Sequence, residues 1–416
     1  MRKQAGEREL DEFLRTCRRL LSAHGEANSA VHAATALRQY QHLSEPEQLR
    51  FFKHLDEAFG LNPADVLKAA HLYAAEPTVQ TLMNLTVAAE PPRQELLRRL
   101  NRAPGGTALI VQMRRQLLRV LPLHPQLAAV EADFLHLLSS WFNPGFLEMQ
   151  QVDWNSPAQL LEKIIQHEAV HAIDGWDDLR RRLQPDRRCF AFFHPQLPGE
   201  PLIFVEIALV PEMPAAIAPL IEKAAHPVES EQFKVATFYS ISNCQPGLRG
   251  VSLGNFLIKR VAERLHAEFP SIRRFCTLSP IPGFARWLDQ VDAESAEFKP
   301  VREQLQAALN KVNRENNTID PKTASRSERE ALLALASIFL RFVSPCTAGD
   351  PVAKFHLGNG ARLQRVNWAG DLSKNGVRQS FGMMVNYLYD LAKVEEHHQR
   401  FLEGNVVHAQ AVARLV

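Results

Sequence analysis

The sequence is poor in the features that mark many protein classes. Its 416 residues hold five cysteines, Cys17, Cys189, Cys244, Cys276 and Cys346, odd in number and without CxxC spacing. That pattern argues against a disulfide framework and a cysteine-built zinc site, and it points to a reducing compartment. Charge of one sign is also missing, since 48 Lys and Arg stand against 46 Asp and Glu. Without a basic footprint, a nucleic-acid partner is not expected. No run of 18 apolar residues occurs, so no membrane-spanning helix is expected. The opening MRKQAGERELDEFLRTCRRLL mixes both signs of charge and lacks an apolar h-region, and the last residues, Arg414-Leu415-Val416, are not a Ser-Lys-Leu address. The expected location is the cytoplasm. No internal repeat and no low-complexity tract interrupts the chain.

What is present is an ordinary globular composition, 46% apolar and 23% charged, in a chain longer than one core usually supports. The expectation is an α+β protein of two domains, residues 1–155 and 156–416. In the first half, apolar residues recur at helical spacing and the breaks carry helix punctuation. Ser44-Glu45-Pro46-Glu47 reads as a capping box, Asn62-Pro63 opens another helix, and Ala103-Pro104-Gly105-Gly106 and Asn143-Pro144-Gly145 are stops. This predicts an all-α bundle of six to eight helices with Leu109, Val111, Leu117, Leu118, Leu127, Val130, Phe134 and Leu137 in its core. After Asn155-Ser156-Pro157 the pattern changes. Segments 189–193, 202–209 and 235–242 are short runs rich in β-branched and aromatic residues, hence strands. Helical stretches at 253–269 and 329–343 make this half mixed α/β around a central sheet. The polar stretch 292–326 reads as a surface helix followed by a loop.

Residues His167-Glu168-Ala169-Val170-His171 spell HExxH, which on a helix places two imidazoles on one face with a carboxylate as general base. A catalytic zinc needs a third protein ligand, and no extension of the usual kind follows. The favoured reading is two histidines on a partly exposed helix, with no metal bound.

More chemistry lies in the second half. The segment from Phe238 to Arg260 is a strand, a glycine-containing turn and an amphipathic helix, an arrangement that exposes backbone amides to an anion such as a pyrophosphate. Arg249, Gly250, Ser252, Gly254 and Asn255 form the candidate substrate-binding set there, the small residues allowing close approach of the backbone. The stretch Leu278-Ser279-Pro280-Ile281-Pro282-Gly283-Phe284 holds Ser279 before a rigid bend, and Phe355-His356-Leu357-Gly358-Asn359-Gly360-Ala361 carries one histidine before a glycine turn.

In this order, the blocks HPxLPGEP (194–201), FYSIS, GLRGVSLGNFLIKRV, LSPIPGF, FHLGNGA and NWxxD (367–371) resemble the malonyl-CoA decarboxylase family, and the glycine turn is similar to the acyl-CoA loop of the GNAT acetyltransferases. The resemblance is strongest over residues 150–395. It implies a GNAT-like domain behind a helical one, and a carboxy-lyase taking malonyl-CoA to acetyl-CoA and CO2 in fatty-acid metabolism. It implies no cofactor, the CoA thioester being the substrate, and a homo-oligomer, dimer or tetramer. By its motifs Ser279 and His356 are the catalytic pair, with Ser240 and Tyr389 as further active-site residues. Ser252 departs from the acidic residue that some relatives carry. The chemistry implied is an enolate held by oxyanion donors and protonated by His356 at a near-neutral pKa, with Ser279 on the malonyl carboxylate. The alternatives are a GNAT-type N-acyltransferase and a non-catalytic CoA-binding protein.

Overall fold

The computed structural model describes residues 2–22, 29–251, 253, 257–312, 319–346 and 349–416. Chain contacts divide it into two compact units. One comprises residues 1–148, 193–201 and 245–253, and the other residues 149–192, 202–244 and 254–416.

The first unit contains eight α-helices among its described residues: α1 (Arg2–Leu21), α2 (Ser29–His42), α3 (Glu45–Glu57), α4 (Pro63–Ala75), α5 (Val79–Ala88), α6 (Pro92–Asn101), α7 (Gly106–Val120) and α8 (Ala128–Trp141). The punctuation falls where it was read. Ser44 N donates to Glu47 Oε2 at 2.7 Å at the start of α3, and Asn62 Oδ1 accepts from Ala64 N at 3.1 Å at the start of α4. Gly105, at φ 77°, sits in the left-handed region between α6 and α7, where glycine carries no Cβ penalty. Of the eight expected core residues seven are buried, and Leu118 is half-buried on the flank of α7. Phe13, Tyr40 and Phe51 pack ring to ring at 4.9–5.8 Å in this core.

The second unit is mixed α/β on a central sheet, the architecture that the GNAT resemblance implies. Its strands are β1 (Glu148–Val152), β2 (Arg187–Phe193), β3 (Ile203–Val210), β4 (Val235–Asn243), β5 (Arg274–Thr277), β6 (Ser279–Pro280), β7 (Arg362–Asn367) and β8 (Met384–Tyr389). The order is β1-β2-β3-β4-β5-β8-β6, with β7 on β8. β2, β3 and β4 are antiparallel neighbours, β4 and β5 are parallel, and β8 runs antiparallel to β5, β6 and β7. Every residue of β3 is buried, which suits its nearly continuous apolar run. Ala208, Val235, Tyr239, Cys276, Leu278 and Met384 form a core on one face. The helices used below are α9 (Ala158–His167), α10 (Gly175–Arg182) and α11 (Pro351–Gly358). No helix is long and apolar enough to cross a membrane among the described residues.

Candidate active site

The site begins where two parallel strands part. β4 and β5 pair only up to Phe238 and Thr277, after which Leu278 N donates to Phe238 O at 2.9 Å. β4 continues along β3 to Asn243, while the chain beyond Leu278 pairs with β8 through Ser279 and Pro280. A β-bulge marks the same place. Ser240 lies opposite Glu206 and Phe238 opposite Ile207, which leaves Tyr239 as the extra residue. Side chains alternate between the faces of a strand. Thr237 and Cys276 share one face, their Oγ1 and Sγ atoms 3.4 Å apart, so Thr277 and Ser279 lie on the other.

On that second face the structure brings Ser279, His356 and Tyr389 into one hydrogen-bonded chain. Ser279 Oγ donates to Thr277 Oγ1 at 2.9 Å and lies 3.1 Å from His356 Nε2, while His356 Nδ1 is 2.9 Å from the Tyr389 hydroxyl. With the Ser279 hydrogen directed to Thr277, the proton between serine and imidazole belongs to Nε2. Nδ1 then accepts from the Tyr389 phenol. The imidazole ring stacks on Tyr387 with centroids 4.8 Å apart and planes at 27°.

Local structure aims these groups. Asp350 caps α11, which carries His356. Its Oδ1 accepts from Val352 N and Ala353 N, both at 2.9 Å, with Pro351 in the first turn. Asp350 Oδ2 accepts from Gly283 N at 2.8 Å, so one carboxylate ties the histidine helix to the bend after Ser279. At the break between β5 and β6, Asn386 Nδ2 donates to Thr277 O at 2.8 Å and Tyr387 N donates to Thr277 Oγ1 at 3.3 Å. Side chains there replace ladder bonds.

The cluster is buried and uncharged. Burial lowers the His356 pKa to about 3 and holds the Tyr387 and Tyr389 phenols well above their ordinary value. This corrects the near-neutral imidazole expected from the sequence: His356 is a neutral ring at physiological pH.

Ser240 is not part of this chain. The bulge turns it to the face of Glu206, where its hydroxyl donates to both oxygens of Glu168 at 2.7 Å. Ser242 Oγ adds a bond of 3.1 Å to the same carboxylate, which also accepts from Val170 N and His171 N at 2.9 and 2.8 Å. This arrangement corrects the HExxH reading. α9 ends at His167, Glu168 is already extended at ψ 112°, and His171 is buried, so no helical turn displays two imidazoles. No cluster of three or more His, Cys, Asp or Glu suited to a metal ion occurs among the described residues. Beside it Arg182 donates from Nη1 to Glu206 Oε2 at 2.8 Å, from Nε to Asp178 Oδ1 at 3.0 Å and from Nη2 to His171 O at 2.9 Å.

Of the candidate substrate loop, Ser252, Gly254 and Asn255 lie outside the described residues. Arg249 and Gly250 are exposed, and Gly250 takes φ 83°, which favours glycine. The base of the loop is anchored within the first unit. Arg114 Nη1 donates to Gly247 O at 2.7 Å, and a Cβ at Gly247 would meet Val111 O at 2.0 Å. Sequence reasoning missed Thr277 and Asp350. Asp350-Pro351 is a helix-start signature that could have exposed the second, whereas no local pattern marks the first.

A helical unit, a mixed sheet whose parallel strands part, and a neutral hydroxyl–imidazole–phenol chain at the parting define a class. It is a helical unit with a mixed α/β unit whose sheet carries a buried cluster of acid–base residue types. Comparison with known proteins makes this specific. The models of the malonyl-CoA decarboxylase N-terminal and C-terminal domains match residues 59–142 and 145–416. The mitochondrial malonyl-CoA decarboxylase of Anser anser anser is 36% identical over 75% of this chain and 66% of its own, and that of Mus musculus is 35% identical over 80% and 72%. The crystal structure of malonyl-CoA decarboxylase from Rhodopseudomonas palustris shares 45% identity at a TM-score of 0.85, covering 97% of this chain and 99% of the other. That from Agrobacterium vitis shares 44% at 0.83, with the same coverage. The chain belongs to the malonyl-CoA decarboxylase family. It spans just under two thirds of the length of the goose relative.

Proposed function

We propose that this chain carries out the reaction of its family with Ser279, His356 and Tyr389 and without a cofactor. The observation that carries the reading is the 3.1 Å contact between Ser279 Oγ and His356 Nε2 at the parting of β4 and β5. The C–C bond to the malonyl carboxylate breaks, its electron pair passes into the thioester as an enolate, and CO2 leaves. The Nε2 proton then forms the new Cα–H bond, and Nδ1 recovers a proton through the Tyr389 phenol. One proton is consumed per turnover. Ser279 orients the carboxylate so that its C–C bond stands out of the thioester plane. Arg249, Gly250, Ser252, Gly254 and Asn255 receive the CoA pyrophosphate, while Ser240 serves by holding the arm of β4 against Glu168.

All five cysteines are free thiols, which supports the cytoplasm as the site of action; the goose and mouse relatives are named as mitochondrial. In this reading, turnover of malonyl-CoA serves fatty-acid metabolism. Self-association through the helical unit is supported by α4 and α5, where Leu67, Val79, Met83 and Val87 are 57–76% exposed. The test is purified protein with malonyl-CoA in EDTA. Equal release of acetyl-CoA and CO2 is expected. Consumption of acetyl-CoA only when an amine is supplied would assign an acyltransferase, and binding without product would assign a silent CoA-binding protein.

A further inference from the structure

Resting on the decarboxylase reading above, we propose that the Tyr387 hydroxyl is a further catalytic group, donating a hydrogen bond to the thioester oxygen as it takes up the enolate charge. Tyr387 is fully buried, and its hydroxyl has no hydrogen-bond partner among the described residues. An orphaned buried donor is a standing cost that folds rarely keep without a use. Tyr40 and Tyr239 bury unpartnered hydroxyls as well. Only Tyr387 of these three lies against the imidazole, its ring stacked on His356 at 4.8 Å. Its backbone is fixed on both sides, by Tyr387 N donating to Thr277 Oγ1 and by Leu363 opposite it on β7. Burial keeps the phenol protonated, so it remains a donor across the working pH range.

The choice of the thioester oxygen follows from the direction in which charge moves. The malonyl carboxylate begins charged and departs as neutral CO2, so each added donor to it stabilises the ground state and slows the reaction. The thioester oxygen gains the charge, and a donor there acts mainly in the transition state. Ser279 and Nε2 already serve the carboxylate and Cα. Tyr387 supplies a donor from the stacked side of the same imidazole.

The experiment is Tyr387→Phe, which removes one oxygen and keeps the ring. A fall in kcat of about 10²-fold is expected, the usual consequence of deleting one oxyanion donor, with KM within about threefold and the melting temperature unchanged or raised. A kcat within about twofold of wild type, a loss confined to KM, or a clear drop in melting temperature each overturns the proposal, the last because it would reveal a structural partner for the hydroxyl. The wild type and His356→Asn are run alongside. If the wild type releases no acetyl-CoA, the activity assignment itself fails. If it does and Tyr387→Phe matches it, only the role of Tyr387 falls.

Discussion

The two faces of the β4–β5 region hold polar clusters of opposite kinds. One face carries Arg182, bonded to Glu206, Asp178 and backbone, and Glu168, bonded to Ser240, Ser242 and backbone, with at least eight hydrogen bonds between them. The other carries Ser279, Thr277, His356, Tyr387 and Tyr389, all neutral, with a donor left over at Tyr387. The charged cluster is engaged chiefly with its own partners and the backbone, with Glu206 Oε1 left unpaired among the described residues, and it holds the fold. A neutral cluster with spare hydrogen-bonding capacity can receive an anion without first breaking an ion pair. HExxH, the motif that looked most like chemistry, belongs to the first kind.

The comparison can be broken from either side. The largest effect is expected on the charged face. Arg182→Ala leaves Glu206 buried with no counter-ion, its pKa already pushed up to about 8 by burial, and should cost about 3–5 kcal/mol in chemical denaturation. A loss below about 1 kcal/mol would mean that the network is not holding the fold. Next, His356→Asn should lower kcat by about 10²-fold or more while leaving stability near wild type. Full activity in that variant ends its assignment as the proton donor. Third, Ser240→Ala removes a hydrogen bond to a carboxylate and should cost about 1.5–3 kcal/mol in stability. Its kcat should change far less than that of Ser279→Ala; equal losses would return Ser240 to the reacting centre.

A slope with pH tests both faces at once. Burial lowers His356 to about 3 and His171 to about 4, so both bind protons more tightly in the unfolded chain, near 6.5. Their contribution is whole above that value and is lost as pH falls toward the folded values, at about 1.4 kcal/mol per unit for each histidine. Chemical denaturation between pH 7 and 4 should show this, and His356→Asn should flatten the slope. The kcat profile should carry no His356 limb between pH 5 and 8. A limb near 6.5 would mean that the imidazole is wetter than its surroundings allow.

Much of the architecture was legible in the residues. Periodicity and caps placed the helices of the first unit, since Ser44, Asn62 and Gly105 act within one turn of chain. The strands from 189 to 242 were found by their β-branched and aromatic runs. Ser279, His356 and Tyr389 came from motif resemblance, and they converge. Ser240 came from the same source and does not, because the extra residue Tyr239 turns it to the other face. A bulge is a matter of pairing between strands, and nothing within FYSIS announces it.

The sequence by itself determined the helical first half, the mixed second half, the family and the residue types of the hydroxyl–imidazole–phenol chain, because each depends on spacing along the chain or on local motifs. Only the tertiary structure decided which hydroxyl meets the imidazole, that Glu168 ends a helix and pairs with two serines, and that burial lowers the His356 pKa. Register, burial and distance between residues far apart in sequence set those outcomes, and desolvation exists only once the chain has closed around the ring.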